Sequence, residues 1–230
     1  MVAVADGVGS TPGAAVVAAM AADAACAHGA QAAEAGEPAA GVCQAAVEAA
    51  NQAVEAANQA ALGAANQAAV EAANQAGDEA GAANRAALAV GGAPEAGATT
   101  LVVAWVDDGG EWALARVGDS TALVLDAGGW REAFPASGEA DDPLSTATAA
   151  LPAVTPPVET ARGFLGAGEA LILVTDGVAG PLRDGPETVA PALAAALSSP
   201  PSELTLALLA DFSRQGCHDD RTVLGVWRRS

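Results

Sequence analysis

The chain has 230 residues, enough for one domain with a sizeable core. Its 28 acidic residues against 9 basic ones, all arginine, leave a formal charge of −19, which argues against nucleic acid or an anionic membrane as partner. Three Cys without paired spacing point to reduced thiols in a cytoplasm, and two His leave little for a zinc site or a Ser-His-Asp triad. The sequence shows neither a signal-peptide pattern nor an uninterrupted apolar run of spanning length.

Residues 1–5 read as a strand that runs into Asp6-Gly7. Ser10-Thr11-Pro12 supplies a helix N-cap and an early proline, and the Ala- and Val-rich stretch 13–28 then predicts a helix ending near Gly29. Residues 34–41 form a Gly/Pro loop. From 42 to 89 the chain is repetitive: VEAANQA occurs at Val47 and again at Val54, and Asn51, Asn58, Asn66, Asn74 and Asn84 mark successive copies at spacings of 7, 8, 8 and 10. Ala, Glu and Gln favour helix there, but a seam of Val and Ala offers a coiled coil little to bury. A low-complexity, Ala-rich helix within a single domain is therefore expected, rather than a dedicated partner-binding element. Gly63, Gly77 and Gly81 should weaken it towards its end.

After a loop at 91–97, residues 98–106 and 111–117 predict strands joined by the turn Asp107-Asp108-Gly109-Gly110. Gly118-Asp119-Ser120 interrupts the chain before a strand at 121–126, and Gly128-Gly129 turns again. Residues 131–165 are polar and Pro-rich and read as a long loop with a short strand at most, a length that in a compact domain often serves function. Residues 171–175 (LILVT) form a buried strand that delivers Asp176-Gly177. Helices follow at 186–197 and at 202–214, the second capped by Ser202, and residues 222–228 close the chain as a strand. This order favours an α+β sandwich over alternating βαβ units. Trp105, Trp112, Trp130 and Trp227 fall in or beside strands and are expected in the core or on sheet faces.

Four of these strands bring an aspartate to one end: Asp6, Asp119, Asp176 and Asp219, with Asp220 beside the last. Any single Asp-Gly is a common turn pair. Four together suggest carboxylates collected around a cation, because converging negative charges repel unless a proton or a metal offsets them. Oxygen ligands without His or Cys select Mg²⁺, Mn²⁺ or Ca²⁺, and two such ions can support phosphoester hydrolysis. His218 and Cys217 sit next to Asp219 and are more simply solvated loop residues than ligands.

VADGVGS, GATTLVVA, VGDS, GEALILVTDGV and DDRT, in that order, resemble the successive motifs of the type 2C (PPM) metal-dependent Ser/Thr protein phosphatases. The resemblance runs over nearly the whole chain. It implies a four-layer α-β-β-α sandwich of two mostly antiparallel sheets flanked by helices. It also implies hydrolysis of phosphoserine or phosphothreonine in proteins by a metal-bridged water, in a cytoplasmic monomer of bacterial type. On that resemblance Asp6 bridges two Mn²⁺ or Mg²⁺ ions, the Gly7 carbonyl joins one of them, Asp176 and Asp219 hold the other, and Asp119 supports a third, weaker ion. Asp220 is the alternative to Asp219. Thr99 and Thr100 match a Gly-Thr-Thr region as packing residues, and 131–165 falls where the family carries its substrate-side flap.

The sequence departs from the pattern at its start. Family members carry, upstream of the first motif, a strand with a phosphate-binding Arg and an acidic motif; this sequence starts after that point, so either the true start is expected further upstream or the chain is a trimmed variant with impaired chemistry. Lack of that strand would leave a sheet edge beside residues 1–5. Thr121 stands where an Arg usually follows Gly-Asp-Ser, and Arg116 and Arg162 are the substitutes at hand. These departures support a second expectation, a catalytically weak pseudophosphatase that binds metal or phosphoprotein as a regulatory module.

Overall fold

Strand after strand alternates its side chains between two apolar environments, and this alternation builds the layers. The computed structural model describes residues 1–9, 12–75, 96–135, 148–183, 189–212 and 219–229. One sheet has the order β1 (Val2–Val8), β2 (Ala98–Val106), β3 (Glu111–Val117), β6 (Glu159–Phe164). The other runs β5 (Gly129–Glu132), β4 (Thr121–Asp126), β7 (Ala170–Val174), β8 (Val223–Trp227), and every pairing is antiparallel.

Leu101, Val103, Ala113, Ala115 and Val117 turn outward onto helices α1 (Pro12–Glu34) and α2 (Ala39–Gln75). Their neighbours Val102, Ala104, Trp112 and Leu114 turn inward and meet Ala122, Val124, Leu171 and Leu173 of the second sheet. Leu123, Leu125, Ile172 and Val174 complete the sequence of layers by packing against the helices α3 (Asp176–Arg183), α4 (Ala190–Leu197) and α5 (Glu203–Ala210). The result is the expected α-β-β-α sandwich, with three apolar layers and β1 at one sheet edge.

Several elements differ from their sequence-based expectation. Strand β1 does not stop at Ala5. It continues to Val8, so Asp6 and Gly7 lie within a paired strand, opposite Thr100 and Thr99, rather than in a turn. Helix α1 passes through Gly29, where Met1 packs in the space a side chain would occupy, and ends at Glu34. Helix α3 replaces the turn expected at Asp176-Gly177. The helix expected over 186–197 is described from Ala190, and the one over 202–214 spans Glu203–Ala210 with Ser202 as its N-cap. Within 131–165, β6 forms the short strand, while 136–147 lies outside the described residues. Trp130 and Trp227 each donate an indole N–H to a helix carbonyl, at Ala190 and Leu197, and Trp105 and Trp112 pack in the layers.

Helix α1 is long and apolar enough to cross a membrane by length and composition. Its small side chains Val17, Ala21 and Ala25 are nonetheless buried in the helix–sheet layer with Ala46, Ala50 and Val54 of α2. Small residues let the two helices approach each other closely along this seam.

Helix α2 carries the repeat, and Gly63 does not interrupt it. A third VEAANQA begins at Val70. Each residue turns an α-helix by ~100°, so 7 residues return a side chain to within ~20° of its starting face, while 16 residues rotate it by ~160°. Val47 and Val54 are accordingly buried at 1% and 0% exposure, and Val70 stands 59% exposed. Identical heptads thus have different energetic weight. Val54→Ala should cost about 2 kcal/mol in urea unfolding and Val70→Ala less than about 0.5 kcal/mol. Equal effects at the two sites would contradict this packing.

Candidate metal centre

The four predicted aspartates arrive from four separate chain segments. Asp6 is carried by β1, Asp119 by the β3–β4 connection, Asp176 by the first turn of α3, and Asp219 by the segment leading into β8. Burial lifts the Asp6 carboxyl to about 6, and the negative charge of Asp176, a hydrogen bond between these two carboxyls, and the charges of Asp219 and Asp119 add to the rise. Asp176 is also raised, first by burial and then by Asp119 and Asp219, against the opposing hydrogen bonds from the Gly177 N–H and from Asp6. The pair Asp6–Asp176 therefore retains a proton on the Asp6 side well above the usual carboxylate range.

Backbone and hydroxyl groups hold these segments together. The Thr99 hydroxyl donates to the Asp6 carbonyl at 2.8 Å. Its neighbour Thr100 sits opposite Asp6 in the ladder and shares a 2.7 Å buried hydroxyl hydrogen bond with Ser120, beside Asp119. Thr99 and Thr100 were expected only to pack. Their hydroxyls instead tie the Asp6 strand to the Asp119 turn, a role that a Thr-Thr pair in a buried strand could have suggested. Gly118 in that turn adopts φ +97, and a Cβ there would lie 2.7 Å from the Thr100 side chain, so the turn requires glycine. The Thr148 hydroxyl donates to Asp119 Oδ2 at 3.1 Å.

On the opposite side, Asp176 Oδ1 accepts the Gly177 N–H at 2.7 Å at the N-terminus of α3, where the helix dipole favours negative charge. Pro181 lies inside α3 and has no N–H to give the Gly177 carbonyl four residues earlier. Arg221 Nε donates to that carbonyl instead, at 3.2 Å, and its guanidinium stacks on Phe212. This contact docks the 219–222 segment on α3. Thr175 adds a reciprocal pair with Thr222, and its hydroxyl also donates to the Asp220 carbonyl. Of Asp219 and Asp220, it is Asp219 whose charge reaches both Asp6 and Asp176, as that of Asp119 also does. Asp219 also lines, with Asp220, Arg221, Glu203 and Asp211, an open cleft of about 510 Å³ between α5 and β8.

The other sequence candidates fall elsewhere. Arg116 is committed to Glu159 at 2.8 Å, to the Thr121 hydroxyl at 3.0 Å and to the Phe134 ring. Arg162 lies on β6, near the 107–111 hairpin. Arg116 is thus occupied by partners within the fold. Gly7 packs so closely on α1 that a Cβ would lie 2.7 Å from the Ala14 backbone. His218 and Cys217 lie outside the described residues.

Among the described residues no three acidic, His or Cys side chains form a closed ligand cage. The donor set nevertheless fits a hard divalent cation: four carboxylates, a neighbouring peptide carbonyl at Gly7, and mutual repulsion that a cation would offset better than the one shared proton.

A sequence family described as protein phosphatase 2C matches residues 1–209. Among solved structures, the catalytic domain of the serine/threonine protein phosphatase PstP in complex with two manganese ions is similar over 97% of this chain and 84% of that one, at 21% identity and a TM-score of 0.55. The Mycobacterium tuberculosis serine/threonine phosphatase PstP/Ppp matches 99% of this chain and 88% of that chain at 24% identity and TM-score 0.56. The S. agalactiae serine/threonine phosphatase matches 99% of this chain and 86% of that chain at 14% identity and TM-score 0.51. At these identities the likeness carries the fold. A search of curated proteins finds no match.

Two measurements follow from the site. Asp6 is raised from 3.8 to about 6, so between those values the metal-free folded chain holds a proton that the unfolded chain releases. Metal-free stability therefore falls as pH rises through that window. Asp6→Asn should raise the metal-free melting temperature at pH 7.5, with the gain shrinking towards pH 4; a lowered Tm at pH 7.5 would contradict the charge crowding. Gly177→Ala would place a Cβ 2.5 Å from the Asp220 carbonyl and 3.2 Å from Asp219 Cβ. It should cost about 1–3 kcal/mol in denaturant unfolding.

Proposed function

We propose that this chain, which belongs to the protein phosphatase 2C family, is a Mn²⁺- or Mg²⁺-dependent phosphatase that acts on phosphoserine and phosphothreonine in proteins, in a cytoplasmic setting. The observation that carries the reading is the gathering of Asp6, Asp119, Asp176 and Asp219 from separate segments, close enough to raise the proton affinity of Asp6 and Asp176. Asp6, with the Gly7 carbonyl, Asp176 and Asp219 would hold two ions, and Asp119 would support a third. Bound there, divalent ions would supply Lewis acidity, lowering the pKa of water and neutralising phosphoryl charge.

The chain's own groups supply the rest. The Asp6 and Asp176 carboxyls share a proton below about pH 6, and a cation held there would compete with it. The Gly177 N–H fixes the orientation of Asp176, and the Thr148 hydroxyl fixes that of Asp119. Of the four aspartates, Asp219 alone also lines the open cleft between α5 and β8.

A specific observation favours a second reading. Arg116 is tied up by Glu159, Thr121 and Phe134, so it does not serve as a bidentate phosphate clamp. A weakly active pseudophosphatase that binds metal or phosphoprotein would need no such clamp.

Hydrolysis of a phosphothreonine peptide and of an aryl phosphate, with and without Mn²⁺, separates the two. The phosphatase reading predicts Mn²⁺-dependent turnover that falls by roughly two orders of magnitude or more in Asp176→Asn. Mn²⁺ binding without turnover would favour the pseudophosphatase.

A further inference from the structure

The repeat helix α2 makes two polar contacts of the same kind, one heptad apart. Asn51 Nδ2 donates to the Ala153 carbonyl at 3.0 Å, and its Oδ1 accepts the Ala153 N–H at 2.9 Å. Asn58 does the same to Gly97, at 2.9 Å through Nδ2 and 2.8 Å through Oδ1. An asparagine amide offers one donor face and one acceptor face, so it pairs with the N–H and C=O of a single residue as a neighbouring strand would. The 7-residue spacing keeps both asparagines on one stripe of α2, whereas the next step of 8 residues turns Asn66 away by ~80°. Both clasps are partly buried, and Asn66 is exposed.

The two clasped segments pair with each other. The Thr99 N–H donates to the Leu151 carbonyl at 3.0 Å, and the Leu151 N–H returns the bond to the Thr99 carbonyl at 2.8 Å. Thr99 then donates its hydroxyl to the Asp6 carbonyl. From Leu151 the chain leads back to Ala149, whose carbonyl packs against Gly118, and to Thr148, whose hydroxyl donates to Asp119. One arm thus runs from Asn58 through Gly97 and Thr99 to Asp6. The other runs from Asn51 through Ala153, Leu151 and Thr148 to Asp119.

We infer that Asn51 and Asn58 are positioning residues for the carboxylate centre, acting through Thr99 and the 148–153 strap on the two carboxylates that come from the helix-covered sheet. This inference rests on the metal-dependent reading given above. The repeat therefore has a specific task within its first two copies. The hydrogen bonds fix the distance between the α1–α2 layer and the segments that carry Asp6 and Asp119, which packing of small alanines alone would leave loosely defined.

The test compares Asn51→Ala, Asn58→Ala and the double variant with Asn66→Ala as control. Calorimetric titration with Mn²⁺ gives the affinity, and amide hydrogen exchange of the metal-free full chain gives the local order. The single variants should weaken Mn²⁺ binding by roughly 5-fold and the double variant by more, below the 10–100-fold typical of a group touching the ligand itself. Exchange at residues 5–8 and 118–120 should quicken in the double variant, and Asn66→Ala should do neither. A double variant that loses melting temperature but binds Mn²⁺ as wild type does would overturn the inference, leaving the asparagines as fold stabilisers only. Should wild type bind no Mn²⁺, the functional reading fails by itself, and exchange decides the inference: quickening at 5–8 and 118–120 supports it, and unchanged exchange there overturns it.

Discussion

Mutual repulsion among four carboxylates is the constraint around which this fold is arranged. Asp6, Asp119, Asp176 and Asp219 come from both sheets, and the charges of Asp119, Asp176 and Asp219 all raise the proton affinity of Asp6. Like charges held together oppose folding unless a proton or cation intervenes. The apolar layers supply the opposing force. Leu101, Leu114, Leu171 and Leu173 are fully or almost fully buried in two of those layers, and their strands deliver or abut the aspartates.

Hydrophobic packing brings the strands together but does not by itself set the carboxylates to fractions of an ångström. That precision comes from short polar links and from missing side chains. Thr99 and Thr100 connect Asp6 to the Asp119 turn, and the Gly177 N–H orients Asp176. Gly7, Gly118 and Gly177 each sit where a Cβ would come within 3 Å of backbone or a threonine side chain. Pro181 leaves a carbonyl open on α3, and Arg221 fills it from the Asp219 segment, so a helix irregularity becomes a joint between two ligand-bearing segments. The asparagine clasps of α2 extend the same device outward, to a helix that carries none of the four aspartates.

Much of this was legible before the structure. Strands β2, β3 and β4 fall at their expected bounds because apolar and β-branched runs between Gly- and Asp-rich turns leave little ambiguity. The α+β sandwich class followed from the order of elements, and the four-layer order from the resemblance to the family. Misreadings arose where local signals were overruled by tertiary context. Asp6-Gly7 has turn chemistry, but pairing with Thr99 and Thr100 holds it in a strand. Asp176-Gly177 looks like a turn in isolation, yet it opens a short helix whose first bonds run from the Val178 and Ala179 N–H groups to the Thr175 carbonyl. The repeat looked like filler because composition hides phase. Only the placement of α2 on the sheet reveals that Asn51 and Asn58 face backbone while the copy at Val70 faces solvent. The commitment of Arg116 to Glu159 and Phe134 was likewise invisible to spacing, since its partners lie 43 residues away and on another strand connection.

The central claim is that the four aspartates form one charge-coupled centre whose repulsion a divalent ion relieves. Thermal unfolding of wild type and of the quadruple variant Asp6→Asn, Asp119→Asn, Asp176→Asn, Asp219→Asn, each with and without Mn²⁺ at pH 7.5, tests it most directly. The account predicts that the metal-free quadruple variant melts above metal-free wild type, and that Mn²⁺ raises the melting temperature of wild type alone. A quadruple variant no more stable than wild type, or one still stabilised by Mn²⁺ to the same extent, would contradict it.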